Sequence, residues 1–378
     1  RDPVDNVTIL SGDIGVGGDT SDNSFNVVRG GGSDTTAILD GFTIANGYGD
    51  GATDPNRIGA GIYNDASTPT LTNLIVRDNY SARYGGGMAN LAGSHVTLRN
   101  VLFENNSGHF AGGAIYNENS SLSVSDSTFS VNRSEGGGGA IHSTVYATAF
   151  PHVPGDFGLT ITNVTFFGNE ASSGGAVDVN SSTGQTLTTH MTNVTSSGNH
   201  ATRAPSIHIM SLGPNPPGLG GTNIFTLNNV ILWGNTVIHW NDGREIRTLD
   251  SGIPSSLILN IDNSVIAYGD TDSFSSAAYN AGTGNLNTNP RLMPLADNGG
   301  FTPTMALVPG GSAIDAGDDT VCGNAIGSPD FGAGGLDQRG VDRPQGNQCD
   351  IGAFERDPTS PKILHAQTDG TSFSCEGW

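Results

Sequence analysis

Basic residues are scarce in this chain of 378 residues: fifteen stand against thirty-six acidic ones, the net charge is −21, and Lys362 is the only lysine. A surface of that sign repels nucleic acid phosphates and anionic lipid, so neither is expected as a partner. It suits an extracellular protein or one that gathers divalent cations. Only 35% of residues are hydrophobic and 7% aromatic, which excludes a single large globular core. No apolar run approaches the roughly 20 residues of a membrane-spanning helix. Three cysteines are too few for a disulfide framework. Cys322 and Cys349 share an irregular Gly/Asp-rich stretch and are expected to pair, worth about 3 kcal/mol in the chain-entropy model. Cys375 is then left as a free thiol or an intermolecular link. The chain opens at Arg1 with neither an initiating Met nor a signal-peptide pattern, which points to a processed product or a fragment.

What is abundant is glycine, 56 residues without a three-residue period, set among Asn, Thr and Ser. That composition points to many short strands joined by tight turns. A nine-residue phrase recurs eight times, from Leu39–Gly47 (LDGFTIANG) through Leu71–Asn79 (LTNLIVRDN), Leu98–Asn106 (LRNVLFENN) and Ile161–Asn169 (ITNVTFFGN) to Ile261–Gly269 (IDNSVIAYG). Between copies lies a second phrase of the GGAI type. Its apolar ends at Ile62, Met88, Ile115, Ile141 and Val177 are 26, 27, 26 and 36 residues apart. A unit of about 26 residues with period-two alternation cannot bury its apolar face alone, whereas units stacked about 4.8 Å apart bury all of them in one column. The expected fold is an all-β, right-handed parallel β-helix (solenoid) of about eight coils. Residues 1–36 form its leading strands and first coil, 37–284 the repeats, 285–356 an irregular C-terminal closing segment and 357–378 a polar tail. Pro/Gly-rich insertions are read at 143–158 and 212–223.

The register of the phrases predicts ladders. Phe103, Phe129 and Phe166, with Val76 and Leu232, form an inward column. Asn73, Asn100, Asp126, Asn163, Asn193, Asn229 and Asn263 form one polar column, and Asn79, Asn106, Asn132, Asn169, Asn199 and Asn235 another. Asparagine tolerates left-handed backbone geometry and bonds to its own copy in the next coil, so both columns read as corner-holders.

The two phrases resemble the GGA[ILV] and FxxN repeats of chlamydial polymorphic outer-membrane proteins over roughly residues 37–270, which implies a surface β-helix. Asn289–Asp318 (NPRLMPLADNGGFTPTMALVPGGSAIDAGD) and Asp337–Glu355 (DQRGVDRPQGNQCDIGAFE) resemble the choice-of-anchor Q domain that closes many bacterial exported β-helix proteins. That resemblance implies export and a cell-surface or extracellular location, although the tail has no apolar helix to serve as an anchor.

Functionally, a non-catalytic surface, adhesin-like or structural protein is expected, with itself as a partner in a homo-oligomer or filament, or surface glycans as ligands. The alternative is a carbohydrate-active enzyme, either a polysaccharide lyase or a glycoside hydrolase. Against it stand the scattered arginines Arg77, Arg83, Arg99 and Arg133 and the lack of a lysine in the coils. The residue following each Gly phrase should point outward, giving a strip of Tyr63, Ala89, Tyr116, His142, Asp178, His208 and His239. It reads as a solvated strand face or as a glycan-binding strip with Asp178 accepting hydroxyl protons. Asp315, Asp318, Asp319 and Asp337, with Asp330 and Asp342, are candidate oxygen ligands for calcium.

Overall fold

The structure, a computed structural model, describes residues 6–146, 156–182, 184–212, 220–238, 244–250, 256–267, 278–326 and 332–359. The interiors of the two insertions (147–155 and 213–219), His239, Asp330, Cys375 and the tail from 360 onward lie outside these, while the insertion bounds at 143, 158 and 223 fall within strands. Among the described residues the chain winds into a parallel β-helix whose strands form three sheets of thirteen, seven and eight members. One coil shows the pattern: Thr70–Arg77 lies in the long sheet, Tyr80–Ser81 in the short-stranded sheet and Met88–Leu91 in the third sheet. The chain then re-enters the long sheet at His95–Glu104. Like residues meet like, since Leu98 pairs with Leu71 on one side and Val124 on the other.

The long strands bend at the first polar column. Asn73, Asn100, Asp126, Asn163, Asn193, Asn229 and Asn263 all have φ between 44° and 54°, the left-handed region that Asn and Asp tolerate best. The second column works differently. There the left-handed residue is the preceding one, Asp78, Asn105, Val131, Gly168, Gly198 or Gly234. The asparagine itself is buried and holds the corner with its side chain. Asn79, Asn106, Asn132, Asn169 and Asn199 each donate Nδ2 to the Oδ1 of the next copy at 2.8–3.0 Å. The row ends where Asn235 donates to Glu245 at 2.8 Å. Burial pushes the Glu245 carboxyl up to about 8 against the hydrogen bonds from Asn235, so the row closes on a carboxyl that is largely neutral at pH 7. A third row, Asn64 to Asn90 to Asn117 to Ser143, runs beneath the third sheet.

Val131 is the misfit among the left-handed positions. It is β-branched with φ 49° and 47% exposed, where neighbouring coils carry Asn105 and Gly168. Left-handed geometry costs such a residue about 1–2 kcal/mol more than it costs Asn. Val131→Asn should therefore stabilise the fold by about 1 kcal/mol, read as a rise in the thermal midpoint; an unchanged midpoint would show that the strain is not borne in the native state.

The interior column reads Val76, Phe103, Phe129, Phe166, Ser196 and Leu232. The three phenylalanine rings stack 5.0 Å apart with interplanar angles of 2° and 15°. Where the ring gives way to Ser196, the hydroxyl pairs with Ser206 at 2.7 Å. The glycine pairs permit the turn into the third sheet in two ways. Gly85, Gly112 and Gly138 take positive φ, while a Cβ on Gly113 or Gly139 would press on the carbonyl of the next coil.

The start of residues 285–356 stacks on the last coil, where Leu286 pairs with Val265 and Asn285 bonds Ser264, but most of the segment does not close the end of the solenoid. The later residues lie along its flank and cover the outward side of the long sheet. Thr128 donates to Pro303 O at 2.6 Å, Gln338 bridges Thr128 and Thr165 at 2.7 Å each, and Ala353 N reaches Thr195 at 3.0 Å. A second apolar core of Ile231, Val265, Leu307, Ala313, Ile351 and Phe354 forms between the two parts. The helix Asp319–Gly323 and the disulfide Cys322–Cys349, 27 residues apart in sequence, lie in this segment, and Asn229 Nδ2 is 3.3 Å from Cys322 Sγ.

Candidate functional site

The outward strip of the third sheet is set by its register: Arg29, Tyr63, Ala89, Tyr116, His142, Asp178, His208 and Arg247 follow one another coil by coil. The structure places Arg247 beside His208, the position expected for His239. The strip faces away from the solenoid core, yet it is neither solvated nor open. Tyr116, His142, Asp178 and His208 are only 5%, 8%, 3% and 6% exposed, and Tyr63 is half-buried. The cover is the ridge of turn residues Tyr84, Ala111, Gly137 and Ser173, which pair with one another through single bridges alongside the strip. A Cβ on Gly137 would overlap Asp178 Oδ2, so the carboxylate occupies space that only glycine leaves free.

Within the strip, Asp178 is held between two imidazoles. His142 Nδ1 lies 3.1 Å from its Oδ2 and His208 Nδ1 2.9 Å from its Oδ1. Burial alone would raise this carboxyl, but the two imidazole hydrogen bonds, with the charge of those rings, outweigh it and hold the group at about 2. At neutral pH Asp178 is thus an anion that fixes two imidazole rings with Nδ1–H turned inward. Tyr116 stacks on His142 with centroids 5.5 Å apart and planes 5° from parallel, and it donates its hydroxyl to Glu118 Oε2 at 2.6 Å.

This arrangement carries a pH signature. The folded Asp178 value lies below the ordinary carboxylate value, so its contribution is present above about pH 4 and is lost as pH falls toward 2. Asp178→Asn should cost about 2–3 kcal/mol at pH 7, since both imidazoles lose a charged acceptor and one is left facing an amide NH2, and should flatten the acid limb between pH 4 and 2. Parallel acid titrations of the two proteins, followed by circular dichroism, test this. Identical limbs would remove Asp178 from the account.

The four candidate calcium ligands do not converge, and among the described residues no three His, Cys, Asp or Glu side chains are placed to share a metal ion. Each carboxylate is already committed to backbone N–H groups. Asp315 accepts from Asn347 at 2.7 Å, Asp318 caps the short helix through Thr320 at 2.8 Å, and Asp319 accepts from Cys349 at 2.8 Å. Asp337 is fully buried, paired with Arg339 at 2.7 Å and bonded to Glu355 N at 2.9 Å. Such oxygens act as turn-builders.

Sequence reasoning missed the aromatic group on the shoulder of the strip. Tyr84 stacks on Tyr116 at 4.4 Å, Phe110 lies 6.1 Å from Tyr84, and the Arg83 guanidinium sits 4.8 Å above the Tyr84 ring. Behind them, burial and the Glu118 carboxylate push both Tyr116 and Tyr146 above the ordinary phenol value. The available signal was the position just before each Gly phrase, which reads Ile58, Tyr84 and Ala111 in successive coils.

Residues 100–118 and 126–144 match the Chlamydia polymorphic membrane protein (Chlamydia_PMP) repeat. No curated protein and no solved structure matches the chain. The matched segments are structurally equivalent. Each runs from a left-handed corner, Asn100 or Asp126, through the short strand and the Gly turn to the third sheet, and the two lie side by side with Phe103 over Phe129 and Ile115 over Ile141. The chain is similar to that repeat family over two coils, and the remaining coils extend the same geometry. Among the described residues no helix is long and apolar enough to cross a membrane.

Proposed function

We propose that this chain is an exported, cell-surface or extracellular rod whose role is adhesive or structural rather than catalytic. The observation that carries this reading is the match of two adjacent coils to a polymorphic membrane protein repeat, in a solenoid whose polar corner side chains are spent on coil-to-coil hydrogen bonds. The acidic composition, and the resemblance of Asn289–Asp318 and Asp337–Glu355 to an exported domain, support it from the sequence. Antibody raised against the folded chain should label intact cells of the source organism; labelling only after permeabilisation would overturn the surface assignment.

Self-assembly is part of this reading. Among the described residues, Ile9–Ser11 and Val28–Arg29 are the end strands of two of the three sheets, and Val7, Ile9, Ile14 and Val16 are exposed beside them. Such an edge favours end-to-end association. Native mass spectrometry distinguishes a monomer from a series of oligomers.

The rival reading, a carbohydrate-active enzyme, draws on one specific observation, the two imidazoles oriented by an ionised Asp178. It requires that incubation with acidic and neutral polysaccharides yield unsaturated products or new reducing ends, and that Asp178→Asn abolish them. A silent panel leaves the adhesive reading in place.

A further inference from the structure

The exposed aromatic group beside the strip fits none of the roles above. Phe110 is 54% exposed although apolar cover is available next to it in the small external cluster of Ala89, Ala111 and Tyr116 with Tyr84 and Leu91 packed on it. Its position is not that of a loose loop tip. Phe110 N donates to Arg83 O at 2.7 Å, and the Phe110 carbonyl sits where a Cβ on Gly136 of the next coil would fall. Backbone on both sides therefore fixes where the ring stands. In the following coil the equivalent positions are Gly136 and Gly137, so that coil places no side chain beside Phe110 and Ala111, and only the small Ser173 follows one coil further. The result is a shallow, glycine-floored step with the Phe110 ring and the stacked Tyr84 ring at its wall.

The charged groups around this step are already engaged. Arg83 and Arg57 both pair with Asp54, and His109 lies 3.4 Å from Glu135. Glu118 takes the Tyr116 hydroxyl. An anionic ligand would have to compete with Asp54 for Arg83, and a cationic one with the groups already held by Glu118 and Glu135. A neutral ligand with a flat C–H face and several hydroxyls would not, because it can lie on an aromatic ring and share the spare N–H and carboxylate positions at the rim. We propose that Phe110, Tyr84 and Arg83 form a binding site for a neutral oligosaccharide, one sugar ring stacking on Phe110 and its hydroxyls bonding to the Arg83 guanidinium. The inference rests on the surface-rod reading and names what the rod holds.

The test is titration of the purified chain with neutral oligosaccharides (cello-, chito-, manno-, xylo- and galacto-series) by calorimetry, with oligogalacturonate and an unmodified peptide pool as charged and non-sugar probes. The wild-type chain should bind at least one neutral series, and Phe110→Ala should weaken that binding at least about tenfold. Phe110→Trp should retain it. The thermal midpoints should stay together, since the ring is mostly in solvent. The proposal is overturned if no neutral series binds at millimolar concentration, if Phe110→Ala binds as well as wild type, or if only oligogalacturonate or peptide binds. Those outcomes leave antibody labelling of intact cells untouched, so failure of this site and failure of the surface reading are separately visible.

Discussion

Replacing Asn132 by alanine is expected to destabilise the solenoid by about 4 kcal/mol, the larger of the corner effects. Asn132 lies fully buried in the middle of the second asparagine row. Its Oδ1 accepts from both the backbone N and the Nδ2 of Asn106, each at 3.0 Å, and its own Nδ2 donates to Phe103 O and to Asn169 Oδ1, again at 3.0 Å. Alanine removes four bonds and leaves donors and acceptors facing a gap too dry to rehydrate them, at about 1–3 kcal/mol for each group orphaned. Asn106 Nδ2 retains Val76 O at 2.8 Å, which limits the loss on that side. The neighbouring Asn105 supplies the control. It is exposed and makes one side-chain bond, to Asp78 at 2.8 Å, so Asn105→Ala should cost only about 1–2 kcal/mol, chiefly for placing alanine in the left-handed region. Urea unfolding of both variants decides the matter. If the two substitutions cost the same, the buried row is not what holds the corner.

The same row shows why part of this structure was legible in the sequence. A phrase that repeats every 26 or so residues dictates register, and register places Phe103 on Phe129 and Asn106 on Asn132 without further information. Whether the asparagine acts through its backbone or its side chain was not legible, because the phrase puts two turn residues in succession and only φ shows that Asn105, not Asn106, is left-handed. The strip was legible as a column and illegible as a surface. Alternation states that His142 and Asp178 point away from the core, but not that the Tyr84–Gly137 ridge folds over them. The flank position of residues 285–356 was hidden for a related reason. Gln338 meets Thr128 across 210 residues, and the threonines at this outward position (Thr128, Thr165, Thr195) look like ordinary solvent-facing strand residues until a partner covers them. Phe110 was overlooked because it belongs to neither phrase.

Arg343→Met should detach the flanking segment while the coils remain wound, with a loss of about 3–5 kcal/mol in the protection of residues 285–356, the cost of leaving a buried partner charge uncompensated. Arg343 and Glu355 are both fully buried and 3.1 Å apart. The guanidinium also ties down the carbonyls of Asp350 at 2.7 Å and Gly352 at 2.6 Å, and Gly352 N in turn bonds Asn229 O on the solenoid at 2.9 Å. Methionine fills much of the volume but leaves Glu355 as an unpaired carboxylate beside Asp350. Burial, then the Glu355 charge, already raise Asp350 to about 7, and Glu355 is itself raised by burial against the pull of Arg343. Both carboxyls thus have folded values above their unfolded ones, so the stability they contribute is present in acid and declines as pH rises through about 7. The segment should be held more tightly at pH 5 than at pH 8, and the methionine variant should steepen that dependence because it removes the compensating cation. Hydrogen exchange separates the two parts, and Trp233, packed against the second core, reports detachment by a red shift in its emission. Unchanged exchange in residues 285–356, or equal loss across the coils, would show that the Arg343–Glu355 pair does not hold this segment to the rod.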